Sequence, residues 1–263
     1  MTTDAPPRPT RVHLPRLTAV DPTPGPFRHP AAAPHEPLRT FHPRGAGLGP
    51  VRQDALRRLF PELGFSVHDE DAPFPRTADG MLDPVAMFGR SAPLVLEIGP
   101  GMGEATVAMA AADPTRDVLA VEAHLPGVAN LLKLLDEAGI GNVRVGHGDA
   151  LDLVRRAIAP GTLAEVRAFF PDPWPKARHH KRRLVQGAHV ALLRSRLVVG
   201  GLLHTATDWP DYADQMIEVL SSDPGLERAG ATDATAGRPL TAFERKALAD
   251  GRTARDLVFR RVR

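Results

Sequence analysis

Asp172 stands inside Phe169-Phe170-Pro171-Asp172-Pro173-Trp174-Pro175-Lys176, which runs on into Ala177-Arg178-His179-His180-Lys181-Arg182-Arg183-Leu184. Three prolines fix three φ angles and remove three backbone donors, so the turn continues neither a strand nor a helix and keeps one rigid path. Such a path can aim a side chain. It places one carboxylate and one indole where an apolar run ends and a basic surface begins. Five cations within eight residues, Lys176, Arg178, Lys181, Arg182 and Arg183, suit phosphate binding with a steep salt dependence. The plain alternative is a solvated charge run. A helix is expected from about Lys181 to Leu197, and cations at its N-terminus oppose the helix dipole, which favours an external anion. Trp174 has three open readings: stacking on a base, walling a pocket, or burial against a sheet.

A second constellation lies upstream. Gly99-Pro100-Gly101-Met102-Gly103 joins a strand to a helix, and Gly99, Gly101 and Gly103 let the backbone turn sharply and approach a ligand. Glu122 ends the next strand, where a carboxylate accepts both hydroxyls of an adenosine ribose. Asp149, in Gly148-Asp149-Ala150, adds a third loop that can bind the amine of adenine or cap the helix that follows; the two roles are compatible. Glu97 stands two residues before the first glycine, where it would repel a pyrophosphate but stabilise the ammonium and sulfonium charges of S-adenosylmethionine. That acid argues against a nicotinamide-dependent oxidoreductase. A non-enzymatic RNA-binding module would not need the set Glu97, Glu122 and Asp149.

Several stretches together resemble the bacterial tRNA (guanine-N7-)-methyltransferase family: Leu96-Glu97-Ile98-Gly99-Pro100-Gly101-Met102-Gly103, Val121-Glu122-Ala123-His124, the turn with its basic tail, Ala206-Thr207-Asp208-Trp209, and Arg238-Pro239-Leu240-Thr241-Ala242-Phe243-Glu244-Arg245-Lys246. The resemblance covers about residues 39–260. It implies that Glu97, Glu122, Asp149 and Asp172 meet S-adenosylmethionine, Asp172 being also the catalytic candidate. It implies that Lys176, Asp208 and the segment Thr241, Ala242, Phe243 and Glu244 meet tRNA, with Ala242 standing where the family often has a basic residue. The implied fold is α/β, a Rossmann-like class I methyltransferase with a mostly parallel seven-stranded sheet, helices on both faces and an antiparallel last strand. The implied reaction is methyl transfer to N7 of a tRNA guanosine, at the variable loop by resemblance; a methyltransferase acting on another RNA is the alternative.

Guanine N7 carries a lone pair and no proton, so the reaction needs alignment more than a general base. A carboxylate beside the guanine can hold its Watson–Crick edge and offset the charge the base acquires. Asp172 is the first choice for this and Asp208 the second, the other reading of each being a turn residue that caps backbone donors.

Elements that position these residues can be read from the apolar pattern. Strands are expected at 94–98, 117–121, 143–145, 166–170, 201–207 and 257–259, and helices at 51–60, 104–112, 125–138, 151–158 and 211–220, the alternation of a parallel sheet. Ligands gather at the carboxyl ends of such strands. The 263 residues suit one large domain, read here as residues 51–263. Residues 1–50 hold 12 of the 27 prolines with no apolar period, which reads as a mostly disordered arm. Within it, Leu38-Arg39-Thr40-Phe41 and Arg44 lead toward the first helix. The chain has no cysteine, which excludes disulfides, thiolate metal sites and cysteine nucleophiles. The histidines 124, 147, 179 and 180 lack metal-ligand spacing, so no metal is expected. Neither a membrane span nor a secretory signal is indicated, so a cytoplasmic protein is expected, a monomer or weak homodimer with tRNA as its partner.

Overall fold

The computed structural model describes residues 40, 47–68, 73–230 and 238–263, with the backbone alone of Ala242 and Phe243. The arm expected over residues 1–50 lies outside the described residues except for Thr40 and residues 47–50.

In chain order the elements are α1 (Pro50–Leu63), β1 (Gly64–Ser66), α2 (Pro84–Phe88), β2 (Leu94–Ile98), α3 (Glu104–Ala112), β3 (Asp117–Glu122), α4 (Leu125–Ala138), β4 (Val143–His147), α5 (Ala150–Ala157) and β5 (Leu163–Phe169). A 3-10 turn (Ala177–Arg182), α6 (Gly187–Arg196), β6 (Leu197–Thr207), α7 (Pro210–Ser222), β7 (Leu226–Arg228), α8 (Ala242–Ala249) and β8 (Arg255–Arg261) complete the chain. The sheet has eight strands in the order β1-β4-β3-β2-β5-β6-β8-β7. β1 to β6 pair in parallel with one another, whereas β8 runs antiparallel to both β6 and β7. The sheet has one strand more than the seven expected, and two of its strands are not placed from the sequence: β1, three residues at the β4 edge, and β7, three residues paired with β8.

Alternate residues of the central strands enter two separate cores. Leu94 and Leu96 of β2, with Leu119 and Val121 of β3, pack on the side of α2, α5, α6 and α7. Val95, Val118 and Ala120 face α1, α3 and α4, where Leu131, Leu132 and Leu135 are buried. Cover on both faces explains why these strands read as continuous apolar runs. Strand order reverses across β2 and β5, so the loops after β2, β3, β4 and β5 converge over one crevice.

The helix expected from Lys181 to Leu197 is broken. Arg178, Lys181 and Arg182 occupy the 3-10 turn with Lys176 and Arg183 at its two ends, and α6 begins only at Gly187, after Gln186. Arg183 N–H donates to the carbonyl of His180 and closes that turn, and the chain then runs extended through Arg183. The dipole argument for an anion therefore loses its helix. Among the described residues no helix is long and apolar enough to cross a membrane.

Candidate active site

A cavity of about 300 Å³ opens at the carboxyl edge of the sheet. Glu97, Gly99, Gly101, Glu122, Asp149, Asp172 and Thr241 all line it, together with Thr40, Phe169, Phe170 and Leu184. Residues from positions 40 to 241 thus share one chamber.

Glu97 is 3 % exposed, and its Oε2 is buried without a hydrogen-bond partner. Burial pushes its carboxyl up to about 7, against the opposing charge of Arg167. Arg167 stands beside it in register on β5 and is itself gripped by Glu165, which accepts from Arg167 Nε at 2.8 Å and Nη2 at 3.1 Å and from Arg116 Nη1 at 2.6 Å. A cation on β5 would pass for an ordinary strand charge in the sequence; only the register with Glu97 reveals its influence. Glu122 ties the loops together: Oε2 accepts from Gly101 N–H at 2.9 Å and Oε1 from His124 N–H at 2.7 Å. Burial raises its pKa and these backbone donors lower it, burial prevailing. Asp149 caps α5, accepting from Leu151 N–H at 2.8 Å, and is likewise raised by burial, with Asp152 adding to the effect.

Two buried acids, Glu97 and Glu122, and the half-buried Asp149, all with raised pKa, line this cavity and form an environment that a cation would relieve. The unpartnered Glu97 oxygen and the glycine loop that closes on Glu122 fit a cationic adenosine ligand. Gly99 adopts φ +71°, and a Cβ there would meet no protein atom within 4 Å. Gly103, expected among the cofactor residues, does not line the cavity. It caps α3 at φ +90°, where a Cβ would come 2.7 Å from Leu131 Cδ1, so its task is close helix packing.

The turn after β5 carries two non-glycine residues at positive φ, Phe170 (53°) and Trp174 (44°), a backbone state that costs about 1–3 kcal/mol per residue and needs surrounding support. The support is visible. Phe170 N–H donates to the carbonyl of Ala206 at 2.7 Å. Trp174 is 3 % exposed, its Nε1–H donating to the Thr40 carbonyl at 3.1 Å, and Arg182 lies 5.0 Å above its ring. Of the three readings of Trp174, burial is the one observed; it does not line the cavity.

Lys176, Arg178 and Lys181 are exposed and Arg182 is half-buried. Arg183 corrects the reading of the cluster as five phosphate ligands. It is 1 % exposed, lies 4.8 Å over the Tyr212 ring, and donates to the Pro173 carbonyl at 2.8 Å, to Gln215 and to Asp211. A guanidinium so enclosed has no face for RNA. Asp208 and Glu244 also stand off the cavity: Asp208 pairs with Arg252, and Glu244 is buried against Arg238. Thr241 caps α8, its Oγ1 accepting from Glu244 N–H at 3.0 Å.

A family model described as "Putative methyltransferase" matches residues 91–257. A relative from Streptomyces avermitilis named "tRNA (guanine-N(7)-)-methyltransferase" is 46% identical over 244 residues, covering 90% of this chain and 80% of that protein. The chain belongs to the tRNA (guanine-N(7)-)-methyltransferase family. Relatives of the same name from Streptomyces coelicolor (44% identical; 90% of this chain, 86% of that protein) and Nitrosospira multiformis (45% identical; 87% and 96%) are equally extensive matches. Among solved structures, the 16S rRNA methyltransferase KamB aligns at 16% identity and a TM-score of 0.46, covering 67% of this chain and 91% of that one.

Proposed function

We propose that the protein transfers a methyl group from S-adenosylmethionine to N7 of a guanosine in tRNA, at the variable loop. The observation that carries this reading is a single cavity in which buried acids suited to a cationic adenosine ligand meet Asp172, on the turn that leads to exposed Lys176, Arg178 and Lys181.

Each residue has a task that follows from its place. Glu122 receives the ribose hydroxyls while its grip on Gly101 N–H fixes the loop. Asp149 meets the adenine from the start of α5, and Glu97 stabilises positive charge from the floor of the cavity. When bound, S-adenosylmethionine supplies an electrophilic methyl group on a sulfonium. N7 needs no proton removed, so the residues contribute alignment and electrostatics. The turn aims Asp172 at the guanine, where its carboxylate offsets the charge that the base acquires. Lys176, Arg178, Lys181 and Arg182 bind the phosphates of the RNA, and Thr241 bounds the guanosine side of the cavity, with Asp208, held by Arg252, and Glu244, held by Arg238, supporting it from outside. Neither a metal nor a second subunit has a role in this scheme, which suits a cytoplasmic monomer or weak dimer.

Incubation with tRNA and methyl-labelled S-adenosylmethionine, followed by borohydride reduction and aniline cleavage, tests the reading. Label at a base that cleaves as N7-methylguanosine in the variable loop is expected. Absence of transfer to any tRNA, or label confined to another position, would overturn it.

A further inference from the structure

Arg238 has an unusually full set of partners. Nε and Nη2 each donate to Asp256 at 2.8 Å, while Nη1 and Nη2 donate to Glu244 at 2.6 and 3.0 Å. The guanidinium lies 5.5 Å from the centroid of Phe169 and 5.6 Å from that of Phe170. Asp256 also sits 2.8 Å from His204 Nε2, and the His204 ring meets Phe169 edge-on at 4.8 Å. Direct partners of Arg238 therefore come from the end of β5, from α8 and from β8, and β6 joins through His204 on Asp256 and Phe169. An ion cluster of this kind repays much of its gain as desolvation and is a poor source of net stability. Two planar forks at right distance do fix geometry, which a point charge cannot.

Two of the clustered elements end at the cavity. Phe169 and Phe170 line it and lead through Pro171 to Asp172, with Phe170 in a strained backbone state. Thr241 lines it too, and caps the helix whose first turn carries Glu244. We propose that Arg238 is a positioning residue that locks the Phe169–Asp172 turn to the start of α8, so that the carboxylate and the RNA-side wall of the cavity hold one spacing. Its catalytic consequence rests on the function proposed above; the lock itself does not. Glu244 then acts on the substrate side through Arg238, by fixing where Thr241 stands.

The test uses full-length R238M and R238K beside the parent. Amide hydrogen exchange is followed over residues 169–176 and 238–249, and kcat, KM for tRNA and cofactor affinity are measured, each normalised to the folded fraction. R238M should loosen both segments together and lower kcat about a hundredfold, the scale of a displacement of about 1 Å in a reacting group. Cofactor affinity should stay unchanged. R238K, which keeps the charge without the forks, should fall between the two and stays informative should R238M fail to fold. Loosening of one segment alone would refute the lock. So would unaltered kcat in both variants, or cofactor binding lost in step with activity, the mark of a merely structural arginine. A parent that methylates no tRNA guanosine at N7 would refute the enzymatic reading instead, and the exchange data would still decide the lock.

Discussion

Arg183 Nε–H donates to the carbonyl oxygen of Pro173 at 2.8 Å, so the Pro173–Trp174 peptide, one residue beyond Asp172, is held from inside the protein by a side chain only 1 % exposed. The same guanidinium reaches Gln215 and Asp211 on α7. A turn with two strained residues and three prolines is thereby pinned to a helix. Replacing Arg183 by Met leaves that carbonyl unsatisfied and should cost about 1–3 kcal/mol of stability, read by denaturant unfolding. Asp211 is 62 % exposed and will be hydrated, so it adds little to the loss. The salt slope of tRNA binding should be unchanged in this variant, whereas Lys181→Ala should reduce it by about one. A reduced slope in Arg183→Met would restore that residue to the phosphate-binding set.

Glu97 gives the protein a pH dependence of known sign. Burial lifts its carboxyl from the ordinary 4.5 to about 7, so the folded chain retains a proton that the unfolded chain has lost between those values. Stability contributed by this group is therefore full below about 4.5 and falls as pH rises to about 7, by about 3 kcal/mol at about 1.4 kcal/mol per pH unit. Glu97→Gln should be more stable than the parent above pH 7, with a difference that vanishes below about pH 4.5. Cofactor affinity should rise with pH through about 7 in the parent and be flat in the variant, since only the ionised carboxylate stabilises a cation. Parallel pH profiles in the two proteins would contradict this assignment.

Gly99 and Gly103 should separate binding from packing. At Gly103 both the φ of +90° and Leu131 oppose a methyl group, so Gly103→Ala should lose about 2–3 kcal/mol of stability. Gly99→Ala meets no protein atom and should cost about 1 kcal/mol through φ alone, yet weaken the cofactor because Gly99 lines the cavity. Calorimetry and equilibrium dialysis on the two variants distinguish these outcomes. Equal losses of stability would remove the distinction.

The parallel sheet was legible because alternating apolar strands and amphipathic helices carry a local signal, and so were Glu97, Glu122 and Asp149, each at a strand's carboxyl end. Short pieces were not: β1 and β7 are three residues each, below any period, and exist through pairing with distant β4 and β8. The basic run shows the deeper limit. Lys181 and Arg183 look alike in sequence, and only the path of the chain beneath Trp174 turns one outward and buries the other. Arg167 and Arg238 show the same limit: Glu165 and Glu244 are near them in sequence, but the register of Arg167 with Glu97 and the second fork of Arg238 onto Asp256 are set only by folding.

The most direct test of the account is the single-turnover rate of methyl transfer to tRNA with cofactor saturating, compared between the parent and Asp172→Ala. Asp172 lines the cavity on a turn held by other residues, so the variant should fold and retain most of its cofactor affinity. Its rate should fall about 10²–10³-fold, the scale for loss of one preorganised electrostatic contact. A rate near that of the parent would show that the carboxylate at the centre of this site is not the one that serves the reaction.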